Sequence, residues 1–260
     1  MVRAFRSEWI KIRRRSVLLG GAAMSFFAVV GVYFSITRAT GVDNRSAELN
    51  PAHLQAADGL TSLLSRSADI IGVIALILVA AAVAAEYSQG TLRNLLVREP
   101  GRLRLLSGKF LALLLFCLIG ATVACAVGTG VGFLVAPQHG LSTSQWTSSQ
   151  GLSNLVALYG NLMLAIVAWS ILGAFSAMVF RSAAAAVGVA IGYSLAAEAL
   201  ISQVWADGPK WLYGRLTSVV LSGGDPAISS YGRSLLIVGL YAVAMVLIGG
   251  VLFRRRDVSA

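Results

Sequence analysis

With 260 residues, 57% of them hydrophobic and only 12% charged, the chain carries about half the charge of a soluble domain of its size. That is too little polar surface for a water-soluble globule, so lipid is the solvent for most of the chain. The formal charge of +10 does not mark a nucleic-acid binder, because the basic residues stand at the ends of apolar blocks rather than on one exposed face.

Residues 1–15 place Val2, Phe5, Trp9 and Ile12 at intervals of three and four, with Arg3, Lys11 and Arg14 turned away from that face. The pattern predicts a helix lying in the membrane interface, its basic side chains reaching to headgroups. An ordinary positive flank before a span is the simpler alternative. Arg13-Arg14-Arg15 loosely resembles a twin-arginine signal, but the apolar run that follows is longer than the about 7–15 residues of a signal. An uncleaved anchor is predicted.

The fold class is an all-α membrane protein with six transmembrane helices in one domain over 1–260. The first span is 16–37, free of charge between Arg15 and Arg38, and the second is 68–86, the shortest, with Asp69 and Glu86 bounding its apolar run. No charge occurs from Phe110 to Phe180, far too long for one helix. Pro137-Gln138-His139-Gly140 and the Ser/Thr-rich stretch after it break this run by turn chemistry, giving spans at 109–136 and 152–180. The fifth and sixth spans are 183–204 and 234–253. Cys117 and Cys125 share one apolar block, about 12 Å apart along a helix, too far for a disulfide. They read as packing residues.

Lys and Arg orient such a bundle. Fifteen lie in the N-terminal segment, in the 87–108 loop and at Lys109 just after it, at Arg181 and in the C-terminal Arg254-Arg255-Arg256, against six on the other side. Both termini are therefore expected to be cytoplasmic, in a multi-pass protein of a cell membrane, the bacterial plasma membrane.

In the 87–108 loop, Thr91 can cap a short helix whose Leu92, Leu95 and Leu96 share a face, before Pro100-Gly101 turns the chain back. The loop is too short to bury those leucines itself, so they must meet headgroups, other helix ends or a partner protein. Glu86, Gly90-Thr91, Leu95-Leu96, Pro100, Arg102 or Arg104 and Gly108-Lys109 resemble the first cytoplasmic loop of the ABC type-2 exporter permease family. Ser7-Glu8-Trp9-Ile10-Lys11-Ile12-Arg13 resembles that family's N-terminal interfacial helix. The resemblance implies that 87–108 is a cytoplasmic coupling helix docking on an ABC ATPase subunit. Its ATPase-coupling residues would be Glu86, Gly90, Thr91, Leu92, Arg93, Leu95, Leu96, Arg98, Pro100 and Arg102. The implied assembly holds two ATPase copies, with a second copy of this permease or a related one, in membrane lipid. The cargo would be a drug, antibiotic, peptide or lipid, as in multidrug or antibiotic efflux.

No phosphate-binding loop is present: from Gly101 to Gly108-Lys109 the spacing is too long, and Phe110 stands where a hydroxyl is needed. ATP and magnesium are expected on the partner, with no cofactor, metal or catalytic residue in this chain. His53 and His139 fall in separate loops and do not read as a site.

Ala184, Gly188, Gly192 and Ala196 form a small-residue ridge on the fifth span, and Gly128 and Gly132 do so on the third. Each ridge packs this subunit's own helices or forms a dimer seam. Pathway candidates are Glu198, whose charge in a span is costly unless it faces the bundle or a wet cavity, and Asn154, Asn161 and Trp169 along one side of the fourth span. Substrate contact, proton contact and structural hydrogen bonding all remain open for Glu198, and interhelical bonding for the asparagines. Residues 205–233, with Trp205, Trp211, Tyr213, Tyr231 and an apolar patch at Leu216 to Leu221, are too apolar for a solvated loop and too interrupted to span. The resemblance implies an outer re-entrant or interfacial segment; an aromatic belt over helix ends is the alternative. A proton-coupled secondary transporter using Glu198, and a polytopic receptor or scaffold, are the competing functions.

Overall fold

The computed structural model describes residues 15–40, 50–88 and 102–255. The predicted interfacial helix and the centre of the coupling loop lie outside the described residues. Those described form helices and turns with no β-strand, and six helices are long and apolar enough to cross a membrane. Span one is Arg15–Thr40, span two Gly59–Ser88, span three Arg102–Val135, span four Ser149–Phe180 and span six Tyr231–Arg255. Span five covers Ala183–Val204. The face carrying Arg15 and Arg255 is called proximal below, and the other face distal.

Span two corrects the sequence expectation. It is not the shortest span and does not begin at 68, but runs 30 residues from Gly59. Asp69 marks the start of its apolar run in the sequence because ionised side chains are costly in lipid. Asp69 instead lines a cavity together with Arg66, one turn earlier, and the helix continues through both.

The turns follow local chemistry. Pro137–His139 forms a single tight turn after span three, and Gly140 takes the left-handed conformation at φ 73° that ends it. Ser148 then caps span four by accepting from Gly151 N at 3.1 Å. This connection is not a loose loop. Trp146 is buried, donates from Nε1 to the Leu54 carbonyl at 2.8 Å and stacks edge-on against Phe133. At the proximal face Arg181 ends span four at φ 55° and Ser182 opens span five, so two residues reverse the chain. Arg181 also lies over Tyr87, which meets Phe253 edge-on, gathering spans two, four and six there.

Spans two and four form the centre, being 56% and 61% buried against 18% and 17% for spans five and six. Close approach between them is set by glycine. A Cβ on Gly173 would sit 2.5 Å from the Leu76 carbonyl oxygen, and one on Gly72 would strike the Trp169 ring. Gly128 and Gly132 pack span three onto Leu64, Leu60 and Val32 of spans two and one, as a small-residue seam does. The ridge on span five behaves differently. Ala184, Gly188, Gly192 and Ala196 are all exposed, with nothing near the two glycines. This ridge therefore does not pack the subunit's own described helices.

Candidate functional site

Between spans five and six the chain forms a ten-residue helix, Tyr213–Ser222, termed the linker helix. Its apolar face, Leu216, Val219, Val220 and Leu221, is buried. It ends at Gly223 in the left-handed conformation, φ 82°. Its start lacks a cap of its own, because Leu212 at that position has no side-chain acceptor. The first amides of a helix need acceptors, and Glu198 of span five supplies them. Its Oε1 accepts from Gly214 N at 2.7 Å and its Oε2 from Arg215 N at 2.9 Å. A carboxylate there also complements the positive end of the helix dipole. Glu198 is 2% exposed. Ser202 bonds the Glu198 backbone carbonyl rather than its side chain.

The helix segment carrying Glu198 is irregular. Gly192–Ala197 winds as a π-helix, and the Glu198 amide bonds Tyr193 O, five residues back. Such segments are frequent at functional sites. Four more contacts fix the linker helix. The Tyr213 hydroxyl donates to Ala168 O at 2.8 Å, and the Tyr213 ring meets Trp169 and Tyr241 edge-on at 6.1 and 6.0 Å. Ser218 donates to Asp69 Oδ1 of span two at 2.9 Å. Spans two, four, five and six thus all hold this one helix.

Two cavities in series flank it. A distal vestibule of about 700 Å³ is lined by charged and polar groups that include His53, Arg66, Asp69, Arg215 and Asp225. A chamber of about 340 Å³ is lined by Asp69, Ile70, Val73, Trp169, Glu198 and Arg215, among others. Asp69, Arg215 and Ser218 line both spaces, so the Asp69–Ser218 hydrogen bond stands between them.

Of the predicted pathway residues, Glu198 and Trp169 line the same chamber. Asn161 does not line it; its Oδ1 accepts from the Tyr231 hydroxyl at 3.0 Å, fastening span six to span four. Asn154 accepts from Gln150 one turn earlier on its own helix. Among the coupling residues, Gly90, Thr91, Leu92, Arg93, Leu95, Leu96, Arg98 and Pro100 lie outside the described residues. Glu86 and Arg102 fall in spans two and three, their side chains likewise outside the description. Sequence reading missed Asp69 and Arg215 as lining residues. The available signal was Arg66 and Asp69 three residues apart beside an apolar run, on one helix face.

The six apolar spans define a multi-pass membrane protein. The family described as protein of unknown function (DUF2705) has a model matching residues 26–259, and the chain belongs to that family. No curated protein matches the chain.

Proposed function

We propose that the chain is the permease subunit of an ATP-driven exporter, forming a substrate pathway and coupling to a separate ATPase subunit. The observation that carries this reading is the pair of cavities in series, running from the distal face to a chamber between spans two, four and five. The linker helix, re-entrant in this reading, stands where it can open or close the passage. The termini and the 87–108 loop are cytoplasmic, two permease chains assemble with two ATPase subunits, and the membrane is a plasma membrane. The rival use of Glu198 as a proton carrier draws less support, because both its oxygens are engaged by backbone amides.

The test is made on the loop. If Leu95 and Leu96 dock on an ATPase, burial supplies about 25 cal/mol per Å² of apolar surface, while Arg93 and Arg98 orient the contact by charge. Changing both leucines to Ser is expected to abolish pull-down of the ATPase while a topology probe still shows six inserted spans. Normal ATPase retention with normal transport in that variant would remove the coupling reading.

A further inference from the structure

We propose that the inner chamber binds an amphipathic amine, with its ammonium group on Asp69 and its apolar body against Trp169, Ile70 and Val73. This names a cargo class for the pathway and so rests on the transport reading above. The volume, about 340 Å³, falls within the range of about 300–1,000 Å³ for small-molecule sites.

The sign of the ligand's charge follows from the lining. Two carboxylates, Asp69 and Glu198, face one guanidinium, that of Arg215, an exposed residue that also lines the vestibule. Glu198 is occupied at both oxygens by the start of the linker helix. Asp69 is occupied only at Oδ1, by Ser218, and among the described residues no donor reaches Oδ2. A spare carboxylate oxygen inside a membrane bundle is an acceptor for a charge-assisted N–H bond. An anionic ligand would meet two like charges at short range instead. A bare metal ion fits poorly, since such ions take several oxygen ligands and the described residues hold no group of three His, Cys, Asp or Glu.

Trp169 supplies the second, independent feature. It is 4% exposed and lines the chamber beside Asp69 and Ile70. Its ring stands perpendicular to that of Tyr213 and packs on the backbone of Gly72, where a Cβ would collide, so its position is fixed. A preorganised tryptophan face is the best aromatic partner for a cation. Ile70, Val73 and Ala199 complete an aliphatic wall, which suits an apolar body and not a free polar amine.

The experiment uses the purified full chain in lipid nanodiscs and calorimetric titration with three probes that share one aromatic body. These are 1-naphthylmethylamine, 1-naphthylmethanol and 1-naphthoate, with empty nanodiscs subtracted for partition into lipid. The amine is expected to bind saturably and about tenfold tighter than the alcohol, the margin of one charge-assisted bond. The naphthoate is expected to give no saturable heat. Asp69→Asn should bring the amine to the affinity of the alcohol. Equal binding of the three probes, or an amine affinity unchanged in Asp69→Asn, overturns the proposal. If Asp69→Asn does not fold, the head-group ranking on the unaltered chain decides alone. No ATPase is present in this assay. Amine selectivity in a chain that retains no ATPase therefore removes only the coupling reading, and ATPase retention without selectivity removes only this one.

Discussion

An ionised side chain within a span survives when it has partners, and Glu198 has two backbone amides. Gly214 and Arg215 present amides at the start of a buried helix whose own capping position is a leucine. Glu198→Ala would leave both without an acceptor, and an orphaned buried polar group costs about 1–3 kcal/mol. The expected result is a lower melting temperature in detergent and faster proteolysis within residues 205–212. Glu198→Gln keeps one acceptor oxygen and should fall between the two. An alanine variant as stable and as protease-resistant as the parent would show that the cap is not needed. This role was not legible in the sequence, because the partners are backbone amides and carry no side-chain signal. Only the presence of an acid in an apolar run pointed to Glu198.

At the scale of elements, spans two and four are held at backbone contact by Gly173 against Leu76. The obstructing atom is a carbonyl oxygen, which cannot swing aside as a side-chain tip does. Gly173→Ala must therefore part the two central helices or distort them. Overpacking of this kind costs about 1–3 kcal/mol. It should appear as loss of a single symmetric peak in size-exclusion chromatography or a clear fall in melting temperature, and an unchanged profile would mean that the spans slide freely at this point. The same span pair shows what sequence reading can and cannot reach. The count of six is legible because charges and Pro137-Gly140 punctuate apolar runs. The start of span two is not, since Asp69 looks like an interface when its partners in the fold are unknown. The apolar stretch from Leu216 to Leu221 is legible as buried, but its placement against Trp169 and Asp69 is set by tertiary contacts distant in sequence. Span five's ridge is legible as a close-packing surface, yet nothing local to it decides which neighbour it would meet.

For the whole molecule, the linker helix joins what the chain order keeps far apart. Glu198 meets its partners 16 and 17 residues later, whereas Asp69 meets Ser218 only 149 residues later. Read as a matter of time during synthesis, the two acids differ. At about 5–20 residues per second, Asp69 waits roughly 7–30 s in the growing chain before its partner exists. Through that interval its charge must be met by water, by neighbouring spans or by the insertion machinery. A chain cut short after Val204 never leaves this state, so it should be cleared by membrane proteases. In that truncated chain Asp69→Asn should raise the recovered amount, although in the full chain the same change removes an ionised partner of Ser218 and gives no such gain. Pulse-chase labelling of the four chains measures this directly. Equal lifetimes for the two truncated chains would show that the unpartnered aspartate carries no cost during assembly.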